Sequence, residues 1–194
     1  MAERVLAAVL AAGRGRRFGG GKLDARCAGR PLGAWALQAV EQAGVAQRFI
    51  VVPPQVPDFA RQSGWSLVTN PSAEAGLGTS LACAARAAMR QGAGALLVLL
   101  ADMPLIDAAL LRNLLAFRAP AAIAHAPGRP GVPALLPAST FAQLAALAGD
   151  HGAAGLLRMI PDISLASVPP GALLDVDDAA GLTRAAMLLQ ARPL

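Results

Sequence analysis

Apolar runs of strand length alternate along the chain with longer, alanine-rich stretches whose apolar residues recur at helical spacing. Such alternation is the pattern of a mostly parallel sheet buried on both faces by helices. The apolar runs predict strands at 4–10, 48–52, 66–69, 95–100, 121–124 and 163–168, and the stretches between them predict helices at 32–43, 77–91, 107–117, 138–148, 151–159 and 178–190. Pro31 pre-sets a first helical turn, Gly44 and Gly92 stand where helices should stop, and Asp107 is placed to cap a helix N-terminus. The segment 127–137 is too rich in proline for a central strand and predicts a surface excursion. No repeat, linker or low-complexity stretch divides the chain, so residues 1–194 are expected to form one α/β domain, a Rossmann-like three-layer αβα sandwich. In such a sheet ligands collect at the carboxyl ends of the strands.

The segment after the first strand is the most unusual. Positions 13–21 hold five glycines, and positions 14–22 hold Arg14, Arg16, Arg17 and Lys22, the only lysine beside sixteen arginines. Glycines let backbone amides converge on an anion, and the cations add charge, so phosphate is the natural guest. It is not a Walker A loop, because Arg16 and Leu23 occupy the positions that require Gly and Ser or Thr. Nor is it a dinucleotide fingerprint, since Gly13, Gly15 and Gly19 are spaced GxGxxxG.

Three further segments follow strand ends. Asp102 comes directly after the apolar run 93–101, where a hard carboxylate oxygen suits Mg²⁺ bound to phosphate. Between the third strand and its helix, NPSAEAGLGTS offers Asn70, Gly76 and Ser80 to hold a base or ribose. Near the C-terminus, LLDVDD presents Asp175, Asp177 and Asp178 just before a helix, one of which caps it.

Composition removes several alternatives. The net charge of +5 would suit nucleic acid, but aromatics make up only 4% and the arginines scatter outside 14–30, so no nucleic-acid partner is expected. Cys27 and Cys83 form no metal-binding or disulfide pattern and read as free thiols of the cytoplasm. Neither long apolar run reaches the ~20 residues that span a bilayer, so a protein without a membrane partner is expected. No Ser-His-Asp arrangement and no base beside a thiol is readable.

The spacing LAAGxGxRxGxxK, carried by Leu10, Ala11, Ala12, Gly13, Gly15, Arg17, Gly19 and Lys22, resembles the signature of the MobA-like nucleotidyltransferases. Taken with the later segments it resembles their molybdenum cofactor cytidylyltransferase branch, the MocA-like group, from Leu10 to about Leu189. The resemblance implies that CMP is moved from CTP to the terminal phosphate of molybdopterin cofactor with release of pyrophosphate. It implies catalytic roles for Arg17 and Lys22 on the triphosphate, nucleotide binding by residues 10–15 including Arg14, and Mg²⁺ on Asp102 with Asp177 as first choice and Asp175 as second. The segments RPGVPALLP and GDHGAAG resemble those that contact the second substrate, implicating Gly131, Pro133 and Asp150; Ala154 stands where that pattern has arginine. A molybdenum hydroxylase apo-enzyme is a further candidate partner. GTP in place of CTP, a sugar or polyol phosphate as acceptor, and a non-catalytic cofactor chaperone are the alternative readings.

Overall fold

The computed structural model describes residues 4–13, 15, 18–149 and 153–191. Strand β1 (Val5–Leu10) runs into the glycine loop and a 3-10 turn, Lys22–Asp24, followed by a two-strand ribbon, β2 (Arg26–Cys27) and β3 (Arg30–Pro31). Next come α1 (Leu32–Gln42), β4 (Gln47–Val52), α2 (Asp58–Arg61), β5 (Ser66–Thr69), α3 (Leu77–Arg90), β6 (Ala95–Leu100) and α4 (Ala108–Ala116). The chain finishes with β7 (Ala121–Ala126), β8 (Arg129–Pro137), α5 (Phe141–Ala145), α6 (Ala153–Leu157), β9 (Ser164–Ala166) and α7 (Ala179–Gln190).

Seven strands form one sheet in the order β5-β4-β1-β6-β8-β7-β9. The ladders β4–β5, β1–β4, β1–β6 and β7–β9 are parallel, whereas β8 is antiparallel to both its neighbours. The predicted mostly parallel α/β architecture is therefore the one observed. Alternation along β1 explains the three layers. Ala7 and Val9 pack with Val52, Leu97 and Leu99 beneath α1, α4 and α7, while Leu6, Ala8 and Leu10 pack with Phe49, Leu96 and Val98 beneath α3 and α5.

Local chemistry sets the helix ends. Asp107 Oδ1 accepts the Leu110 N–H at 2.9 Å, as expected for the cap of α4. Among the three C-terminal aspartates, Asp178 caps α7, accepting the Gly181 N–H at 2.7 Å.

The surface excursion predicted for 127–137 is instead β8, inside the sheet. Prolines are compatible with this strand because of where they fall. Pro137 ends it, Pro133 lies where the register with β7 shifts between Ala122 and Ile123, and the proline-free core Ala134–Leu136 carries the ladders to β6 and β7. The helix expected at 138–148 is shorter, a 3-10 turn at Ala138–Thr140 leading into α5. The ribbon β2–β3 and the short α2 lack an apolar period and were not predicted.

Candidate active site

Register brings the two most distant parts of the site together. Leu10 of β1 pairs with Leu100 of β6, and the Ala101 N–H continues the ladder to the Leu10 carbonyl at 3.0 Å. The glycine loop and Asp102 therefore leave the sheet side by side.

Lys22 is held from below and behind. Gly15 adopts φ +53° against it, and a Cβ there would lie 3.2 Å from Lys22 Cβ, so this position favours glycine on both counts. Two residues on, the Asp24 carboxylate accepts the backbone N–H groups of Phe59 at 2.7 Å and Asp58 at 3.1 Å, clamping the 3-10 turn to the start of α2. Lys22 is only 8% exposed, and its Nζ donates to Asp102 Oδ2 at 2.7 Å. The same ammonium lies 3.7 Å from Asp177 Oδ1. A buried ammonium is tolerated because two carboxylates face it. The Asp102 carbonyl accepts the Val176 N–H at 3.0 Å, which ties the C-terminal aspartate segment to the end of β6.

Asp175 stands beside this group. Its carboxyl is pushed up to about 6, first by desolvation, then by the charges of Asp102 and Asp177, while His125 and Lys22 pull it down. A buried carboxyl with two further carboxylates beside it is a ready place for a cation. Among the described residues no cluster of three or more His, Cys, Asp or Glu is spaced to hold a metal alone. Asp102 and Asp177 nevertheless converge on one cation, the ammonium, within 4 Å. Two hard oxygen donors with phosphate and water completing the shell are sufficient for Mg²⁺, so the donor set fits a divalent ion.

Lys22 divides two clefts. One, of about 890 Å³, is lined by Ala11, Ala12, Gly13, Gly15, Gly20, Gly21 and the segments around Pro53 and Asp58. The other, of about 380 Å³, is lined by Leu10, Ala12, Gly13, Gly76, Ser80 and Asp102. The structure thus brings together Leu10, Ala11, Ala12, Gly13, Gly15, Lys22, Gly76, Ser80 and Asp102. Asn70 lies behind the wall. It is 1% exposed, its amide nitrogen donates to Thr79 Oγ1 at 2.8 Å and Ser80 Oγ at 3.0 Å, and its Oδ1 accepts the Ser72 N–H at 3.0 Å. Its side chain clasps the end of β5 to the start of α3 and so positions Ser80.

Arg14, Arg17 and Asp150 lie outside the described residues. The Gly149 carbonyl accepts the Gly78 N–H at 3.0 Å, which ties Gly149 to the start of α3. Gly131 lines a third pocket, of about 290 Å³, next to the clefts; Pro133 is buried and does not line it. A Cβ on Gly131 would run into the ring of His125, whose Nε2 is 2.7 Å from the Val132 carbonyl oxygen.

Sequence reasoning did not single out His125, Asp24, Arg129 or Arg158. His125 carried one overlooked signal, a polar residue within an apolar strand next to a Gly-x-Pro segment. Asp24 carried none, because its partners lie 34 and 35 positions away.

A family model described as the MobA-like NTP transferase domain matches residues 7–167. The purine catabolism protein PucB of Bacillus subtilis is 30% identical over 186 residues, covering 89% of this chain and 87% of that protein. A second relative, the bifunctional protein GlmU of Pelobacter propionicus, is 37% identical over 59% of this chain, which spans only 26% of that relative's length. Among solved structures, a nucleotidyl transferase from Methanothermobacter thermautotroptrophicus superposes with a TM-score of 0.81 at 22% identity, covering 97% of this chain and 99% of that one. Rv0371c of Mycobacterium tuberculosis in complex with manganese superposes with a TM-score of 0.71 at 22% identity, covering 95% and 98%. With a family match spanning both the glycine loop and Asp102, this chain belongs to the MobA-like NTP transferase family, whose chemistry is nucleotidyl transfer.

Proposed function

We propose that the protein is a cytoplasmic cytidylyltransferase that moves CMP from CTP to the terminal phosphate of molybdopterin cofactor, releases pyrophosphate, and serves a molybdenum hydroxylase apo-enzyme. The observation that carries the reading is Lys22 Nζ, buried at the mouth of the glycine loop and set between Asp102 and Asp177. Family membership supports nucleotidyl transfer, and Ala11 and Ala12 in the LAAG segment favour the cytidylyl branch.

The acceptor phosphate is an anion already, so its oxygen attacks the α-phosphorus of CTP without a general base. A P–O bond forms there as the bond to the α–β bridging oxygen breaks, and pyrophosphate leaves with that electron pair. Catalysis then rests on alignment and on neutralising the charge of the departing group. Lys22, with Arg17 from the same loop, holds the triphosphate, and the loop amides add donors without side-chain reorganisation. The base and ribose lie against Gly13, Gly76 and Ser80, at the wall that Asn70 fixes. Asp102 and Asp177 would hold Mg²⁺, and bound there the ion polarises phosphoryl oxygens as a Lewis acid.

Gly131 and Pro133, with Asp150, belong to the acceptor side. The testing experiment is pyrophosphate release with each of the four NTPs and Mg²⁺, with and without molybdopterin cofactor. Release only with CTP plus the pterin is the expected result. Release only with GTP, or with a sugar phosphate in place of the pterin, would replace the substrate assignment. Tight pterin binding with no release under any condition would replace transfer with a chaperone role.

A further inference from the structure

We infer that the pocket between the β7–β8 hairpin, α3 and the turn after α6 holds the acceptor, a phosphate monoester on a flat ring system, and that Arg129 and Arg158 are its specificity-determining cations. The inference rests on the nucleotidyl-transfer reading and adds to it the residues that select the second substrate.

The pocket's position is set by the side chains it shares. Leu10, Leu77 and Leu100 line both this pocket and the cleft that contains Lys22 and Asp102, so a molecule seated here abuts the nucleotide. Its remaining floor is apolar, with Leu81 and Val132, which suits a ring system rather than a polyol. Two arginines from separate segments complete the lining, Arg129 at the start of β8 and Arg158 just past α6, and among the described residues no carboxylate lines the pocket.

The two guanidinium groups are distinguished by sharing a pocket while unpartnered; Arg90, Arg118 and Arg184 also lack a protein partner among the described residues, but no two of them line one pocket. Arg26, Arg30, Arg48, Arg61, Arg86 and Arg112 each donate to a carbonyl, amide or carboxylate oxygen of the protein. Among the described residues the side chains of Arg129 and Arg158 have no such partner. One unpartnered arginine is ordinary surface. Two lining one small pocket repel each other until an anion arrives, and a fork of donors matches phosphate in two-point contact. The same lining includes the His125 ring, seated on Gly131 with Nε2 at the Val132 carbonyl.

The test uses 1-naphthyl phosphate as a probe of this chemistry, with 1-naphthol as its uncharged control. Binding is measured by fluorescence to the full chain saturated with Mg²⁺ and α,β-methylene-CTP, which fills the nucleotide cleft and blocks transfer. Wild type should bind the phosphate and not the alcohol. Arg129→Gln and Arg158→Gln should each weaken the phosphate by about 10- to 100-fold, with Arg158→Lys recovering part of the loss. Both arginines are exposed, so melting temperature and affinity for the CTP analogue should not change. No binding to wild type, or equal binding to wild type and the double variant, overturns the inference. A separate arm with molybdopterin cofactor isolates the function reading. If the arginine-dependent probe binds but the pterin is neither bound nor cytidylylated, the pterin assignment fails while the pocket assignment stands.

Discussion

The two sides of β6 are built on different plans. Toward β1, β4 and β5 every ladder is parallel and the strands end in segments that line the two clefts beside Lys22. Toward β8, β7 and β9 one strand, β8, runs against all the others, β8 carries prolines and β7 a histidine, and a pocket rimmed by arginine replaces the glycine loop. A parallel sheet presents all its carboxyl ends along one edge, so phosphate and metal chemistry can accumulate there. Inserting the antiparallel hairpin β7–β8 beside that edge supplies a second wall without moving the first. On the proposed function, the half with the glycine loop carries the shared transfer chemistry and the half with the hairpin sets the acceptor.

Four perturbations separate the halves, the largest first. Chelation with EDTA should abolish pyrophosphate release while leaving 1-naphthyl phosphate binding intact, and rescue by Mg²⁺ in the same cuvette checks that the loss is the metal's. Leu97 sits fully buried in β6, the strand common to both halves. Leu97→Ala should cost about 2–5 kcal/mol in urea unfolding, with one transition seen by all probes; two transitions would show that the halves fold independently. Gly131→Val should displace the His125 ring and raise KM for the acceptor about tenfold with KM for CTP unchanged, as steady-state kinetics would report. Asp178→Ala should remove the α7 cap and lower stability by about 1 kcal/mol with no change in kcat, a contrast with its neighbour Asp177 that thermal melts and initial rates together would expose.

What could be read in the sequence follows the same division. β1, β4 and β6 are short apolar runs with buried faces, and they were located within a residue or so, as was the short, largely exposed edge strand β5. The glycine loop, Lys22 and Asp102 were legible because a charge or a run of glycines beside a buried strand is a local anomaly. β8 was not legible, because its prolines argue against a strand until the positions of its bulge and its end are known. Asn70 shows the limit at the level of one side chain. Its residue type suits a ribose contact, but only the fold reveals that Thr79, Ser80 and Ser72 use its polar atoms. Asp24 acts through partners 34 and 35 positions away, and Arg129 and Arg158 meet at one pocket only through the fold, neither of which a local pattern encodes.

The central claim is that Lys22 and Asp102, side by side across the β1–β6 register, act on one triphosphate. Single-turnover pyrophosphate release with CTP, Mg²⁺ and molybdopterin cofactor tests it most directly, comparing wild type with Lys22→Ala and Asp102→Asn, each confirmed as folded by its melting curve. A loss of about 100- to 1,000-fold is expected in Lys22→Ala, roughly 2.7–4 kcal/mol of transition-state stabilisation, with a comparable loss in Asp102→Asn. Wild-type rates in either folded variant would contradict it.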